Sequence, residues 1–212
     1  RKDRHIRRGY VRIGARASRH RVTFWLEEAL RLVNLPYEEE GRIYHFRRIS
    51  VLSIPAEASR KAWIERMQEI LTTQARRAVH GADPRSHTSD AVYFDHEDEA
   101  LEVTLRSSLL PGVKPAWFWR AVVGIDTRSH SSPVLAAVLE CIRNRHSPQV
   151  GAAIIMAALE GLDDPNPASL LSSLSASAMR DWMRFLESFG TASSRFRPVL
   201  LSEKTTAILR SA

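Results

Sequence analysis

Eight histidines, at positions 5, 20, 45, 80, 87, 96, 130 and 146, and one cysteine, Cys141, are the residues best equipped for acid–base, nucleophilic or metal chemistry. Their spacing does not build a zinc centre. No two histidines stand as His-x-x-x-His, and no second cysteine exists to complete a thiolate set. His96, beside Asp95, Glu97 and Asp98, has the donor types of a hard-cation site. Acidic residues opening a helix explain the same run, because negative charge there complements the helix dipole. Cys141 shares an apolar helical face with Val134, Val138 and Ile142, the setting of a buried, inert thiol. A single cysteine also excludes an intrachain disulfide. Neither a phosphate-cradling glycine loop nor a Gly-x-Ser-x-Gly elbow occurs, and the serines between Ser169 and Ser177 fall where helix caps and loops are expected. These patterns supply no catalytic set, no metal site and no cofactor site. The chain reads as one that binds or builds something.

Charge is the stronger signal. Residues 1–50 carry 13 Lys/Arg against six Asp/Glu, whereas residues 51–212 carry 18 of each, so the whole excess of +7 lies in the first quarter. Nearly all of it is arginine, whose planar fork matches phosphate and carboxylate better than an ammonium does. Arg7, Arg8, Arg12, Arg47 and Arg48 are therefore the candidate contacts for an acidic protein or a nucleic acid. An arginine-rich composition with a solvated basic edge would give the same count. Trp117-Phe118-Trp119 is the densest aromatic cluster. It reads either as packing between two halves of the chain or as an exposed platform, with Trp117 and Trp119 as a base-stacking or partner-binding anchor. The basic quarter also contains His5, His20 and His45. These are the residue types that metal-independent, guide-RNA-processing (CRISPR-type) ribonucleases use on a ferredoxin-like fold, although the glycine-rich basic loop those enzymes carry near their end is missing.

The elements that must position these residues follow from periodicity. Residues 5–15 alternate as a strand with Val11 and Ile13 on one face and Arg8, Tyr10 and Arg12 on the other. Ser18 is placed to cap a helix from about Arg19 to Val33, ended by Pro36. Residues 42–54 form a second strand candidate with a phase shift at Arg47–Arg48. Pro55 opens a helix to about Val79 with Trp63, Met67, Ile70, Leu71, Gln74 and Ala78 on one face. Ala91 to Phe94 is a third short strand, and an acidic first turn after Asp95 begins a helix that stops at Pro111-Gly112. The order β-α-β-α-β-α describes a small basic α/β domain over residues 1–125, with a right-handed crossover if its first two strands are parallel. Beyond residue 131 only short helices are predicted, at about 133–143, 148–160, 167–174, 176–189 and 202–211. Ser132-Pro133, Ser147-Pro148 and Asn166-Pro167 serve as start signals. The expected fold class is α+β and predominantly helical, with a short-helix bundle over 131–212. Arg1 at the start, and a helical pattern running to the end, suggest one segment of a longer chain. No apolar run reaches the roughly 18–20 residues of a membrane span and no signal peptide opens the chain, so a cytoplasmic location is expected.

Residues 4–125 resemble components of phage-tail-like contractile injection systems, in particular the tape-measure type and uncharacterised proteins encoded beside such systems. The resemblance lies in the basic start His5-Ile6-Arg7-Arg8, a strand and amphipathic helix, then Arg42-Ile43-Tyr44-His45-Phe46-Arg47-Arg48-Ile49. A long helix and the loop Val79-His80-Gly81-Ala82-Asp83-Pro84 follow, then Ala91-Val92-Tyr93-Phe94 and Trp117-Phe118-Trp119. It departs from the tape-measure pattern in its second strand, which is basic and aromatic where that pattern is acidic and leucine-rich. The resemblance implies a structural role: docking on a tube–sheath particle, at baseplate or cap, with other protein subunits as partners. The composition supports an alternative, an RNA- or DNA-binding subunit of a nucleoprotein complex.

Overall fold

A computed structural model describes residues 19–49, 58–110, 113–124 and 131–162. Among them, six α-helices and a three-stranded mixed sheet make an α+β, predominantly helical fold. The chain divides between Asp95 and His96 into two compact units.

In the first unit, α1 spans Arg19–Leu32. A turn follows in which Tyr37 adopts a left-handed φ of 57° before the 3-10 turn Glu38–Glu40, closed by Gly41 at φ 99°. A side chain at Gly41 would be strained, since L-residues rarely adopt that backbone conformation. β1 is Ile43–Phe46 and bends at Arg47, so of the strand expected over 42–54 residues 43–46 form the strand, and residues 50–54 lie outside the described residues. The second helix, α2, is Arg60–Arg76. It does not run from Pro55, because Ala58 and Ser59 are non-helical and the Ser59 hydroxyl accepts the Ala62 N–H at 3.2 Å, capping the helix where it begins. β2 is Val79–His80 and β3 is Ala91–Phe94. The sheet order is β1-β3-β2, with β1 antiparallel and β2 parallel to β3.

β2 occupies the place where the α2 pattern was expected to end. Two residues are too few to show alternation, and the strand exists through a tertiary fit. The Gly81 N–H donates to the Tyr93 carbonyl at 2.9 Å, and the ring of buried Phe94 lies where a Cβ on Gly81 would sit. Ala29, Leu30 and Val33 of α1 meet Met67 and Leu71 of α2 in the core of this unit, with Phe46 and Ile49 packed against them. Burying side chains such as Met67 and Leu71 contributes about 1.5–3 kcal/mol each. The strand expected at 5–15, its crossover and the Ser18 cap lie outside the described residues.

In the second unit, α3 spans Glu97–Leu109, α4 Trp119–Val123, α5 Ser131–Arg145 and α6 Pro148–Glu160. His96 caps α3: its Nδ1 accepts the Glu99 N–H at 3.1 Å. α5 begins at Ser131, one residue before the expected Ser132 cap. Ser147 caps α6 by accepting from Val150 N–H, with Pro148 in the first turn as predicted. Helix α3 packs against the other three, burying Ala100, Leu101, Val103, Thr104 and Leu105. Glu97 in its acidic first turn pairs with Arg145 at the end of α5, and Asp98 lies 3.6 Å from His146 Nε2. The opposite charges of Glu97 and Arg145 thus meet at helix ends whose dipoles favour each of them. The helices expected at 167–174, 176–189 and 202–211 lie outside the described residues. No described helix is long and apolar enough to cross a membrane.

Candidate partner-binding surface

Five described arginines of the first unit, Arg21, Arg42, Arg60, Arg66 and Arg85, are held by neighbours. Arg42 donates through Nε and Nη2 to Asp95 Oδ1 at 3.0 and 2.7 Å, and its guanidinium lies 4.6 Å from the Tyr37 ring centre and 4.4 Å from that of Tyr93. Arg60 forks onto both carboxylate oxygens of Glu28 at 2.6 and 2.5 Å. Arg66 pairs with Glu69, and Arg21 lies 4.1 Å over Trp25. Arg85 grips Asp83, and those hydrogen bonds hold the carboxyl at about 2, well below its ordinary range.

Arg47 and Arg48 differ. Both are exposed, and among the described residues neither forms an ion pair. Their main chain is nonetheless fixed. The Arg47 N–H donates to the Asp90 carbonyl at 2.8 Å, continuing the β1–β3 ladder by one residue, and the Arg48 carbonyl accepts from Gln74 Nε2 at 3.3 Å. Gln74 lies in the last turn of α2, whose C-cap, Arg77, donates its N–H to the Gln74 carbonyl at 3.1 Å. Arg77 is exposed and, like Arg76 before it, forms no ion pair among the described residues. Basic residues at a helix C-terminus complement its dipole, which accounts for a cation at Arg76 or Arg77 but not at Arg47 or Arg48. Four exposed guanidiniums without an ion pair among the described residues, at Arg47, Arg48, Arg76 and Arg77, thus stand on backbone tied together where the end of β1 meets the end of α2.

The other predicted site residues fall elsewhere. Arg7, Arg8 and Arg12 lie outside the described residues. Trp119 is 1% exposed and Phe118 is equally buried, within the second unit, with Trp117 half-buried and edge-on to Phe118 at 5.6 Å. Trp119 is a core side chain in this unit and presents no ring to solvent. Of the histidines considered for RNA cleavage, His5 is outside the described residues. His20 is exposed on α1, and His45 is half-buried on β1 with its ring against Phe94 at 6.0 Å. His96 is engaged as a helix cap. Cys141 is buried, and burial pushes its thiol pKa up, away from the reactive thiolate.

Arg77 was missed by sequence reasoning. It stands 29 positions from Arg48, in a stretch of balanced charge, and a tertiary contact, the bond from Gln74 in the last turn of α2 to the Arg48 carbonyl, links the two segments. No protein-family model, curated protein or solved structure matches this chain.

Proposed function

We propose that this chain is a binding subunit of a larger assembly rather than an enzyme, and that it engages an acidic partner through the arginine surface of its first unit. The observation that carries this reading is the contrast between Arg42, Arg60, Arg66 and Arg85, each matched to a carboxylate, and Arg47, Arg48, Arg76 and Arg77, exposed without one among the described residues. Unpaired guanidiniums raise the local potential and favour encounter with negative charge. The resemblance of residues 4–125 to phage-tail-like contractile injection components supports placing the assembly among such particles, with a structural role for this chain at baseplate or cap.

Affinity isolation through a tag on this chain tests the reading. Stoichiometric recovery of other components of the assembly, protein or nucleic acid, with the acidic component reduced by Arg47→Ala/Arg48→Ala, is the expected result. Recovery of the chain alone, from cells that make the particle, sinks it.

A further inference from the structure

Resting on that reading of a basic docking surface, we infer that the partner contacted by Arg47, Arg48 and Arg77 is the phosphodiester backbone of a nucleic acid. Of three observations, the second points to phosphate rather than to an acidic protein face, and the first and third fit either. The contact groups are all arginine, which binds phosphate oxygens as a two-pronged donor. A specific protein interface has an apolar core around which charges form a rim. Here the large exposed apolar side chains of the described first unit are Phe24, Leu32 and Tyr37, none of them on the end of β1 or the last turn of α2. A sugar–phosphate backbone requires no such core and is held by guanidinium, amide and main-chain donors. The third observation is the scaffold. The main chain of Arg47 and Arg48 is bonded to Asp90 and Gln74, so the three charges are presented from ordered backbone instead of from a free tail.

Contacts of this kind position a chain on nucleic acid without reading its sequence, so DNA and RNA share the recognising chemistry and the measurement separates them. The test titrates the full chain into a labelled DNA duplex and a labelled single-stranded RNA, by fluorescence anisotropy at several salt concentrations. Binding is expected to weaken steeply with salt, with a logarithmic slope of about −0.9 per phosphate contact on a duplex and about −0.7 on a single strand. Arg47→Ala/Arg48→Ala is expected to flatten the duplex slope by about 1.8, and adding Arg77→Ala by about 0.9 more. Arg47→Lys/Arg48→Lys is expected to keep the slope, since the charge is kept, and to lose affinity, since the fork is lost. Arg66→Ala, which removes an arginine already paired with Glu69, is expected to leave the slope unchanged. An unchanged thermal midpoint in each variant shows that folding is intact.

Poly-glutamate serves as the carboxylate arm. If it competes as well as nucleic acid of equal charge, the partner is an acidic protein; the inference is overturned while the docking surface stands. If nucleic acid binds with the same slope and affinity in the triple alanine variant, the contact lies elsewhere and the inference is again overturned. If neither polyanion binds, the docking reading itself falls.

Discussion

The two units of this chain divide their labour differently between packing and presentation. In the second, α5 alone buries Val134, Leu135, Ala137, Val138, Leu139, Cys141 and Ile142, and the aromatic pair Phe118 and Trp119 is sequestered with the helices. In the first, a smaller core of α1 and α2 side chains supports a sheet whose residues on β1 are all only partly buried. There the notable side chains are arginines, some locked by carboxylates and some not. The lesson is that residue type did not decide role. A tryptophan suited to stacking became core: Trp119, at the start of the five-residue α4, is buried with Val122 and Val123. Arg47 and Arg48, equally suited to ion pairs, form none among the described residues, although Asp90 stands across the ladder from Arg47.

That contrast can be broken by mutation, and the largest effect is expected in the second unit. Trp119→Ala should cost about 3–5 kcal/mol, as removal of a buried aromatic does, read as a lowered denaturation midpoint; a loss near zero would show that the ring is not core. Next comes Gly81→Ala in the first unit. The added methyl would lie 2.1 Å from a carbon of the buried Phe94 ring, and overpacking of this kind costs about 1–3 kcal/mol. Thr104→Val tests the second unit in the opposite sense. Thr104 is fully buried and its Oγ1 has no hydrogen-bond partner among the described residues, so the apolar isostere should stabilise by about 1 kcal/mol. Arg47→Ala and Arg48→Ala should shift stability by less than about 0.5 kcal/mol, since both are exposed and unpaired, while weakening partner binding. Large losses of stability there would make the arginines structural and collapse the comparison.

The smallest effect is the most specific to pH. The Asp83 carboxyl is held at about 2 by hydrogen bonds from Arg85, against 3.8 ordinarily. Its folded pKa is depressed, so its contribution is fully present above about pH 4 and fades as pH falls through about 2. Asp83→Asn should therefore lower the thermal midpoint slightly at neutral pH. The difference from the unsubstituted chain should close on acidification, and a gap that persists at pH 2 would assign the effect to something other than the charge.

Legibility followed the range of the interactions. Helices α1, α2, α3, α5 and α6 were readable because 3.6-residue apolar spacing and local caps are encoded within one turn, as Ser147-Pro148 shows. β3 was readable as a run of β-formers, and its neighbour β1 only in part, because where pairing ends depends on a partner 45 or more residues away. β2 was not readable, having only two residues and a Gly81–Phe94 contact to define it. At the candidate surface, Arg47 and Arg48 stood out as adjacent charges in a basic quarter, while Arg77 carried no local signal.

By itself, the sequence determined the α+β, mainly helical composition, the core faces of the longer helices and the concentration of positive charge in residues 1–50. All of these rest on side-chain type and short spacing. Only the tertiary structure decided that the division falls at Asp95, that Trp119 is buried and that the last turn of α2, which Arg77 caps, bonds to the Arg48 carbonyl beyond β1. It also decided which arginines are neutralised. Ion pairing and burial depend on partners brought close by folding, such as Glu28 to Arg60 and Asp95 to Arg42, and no local pattern records them.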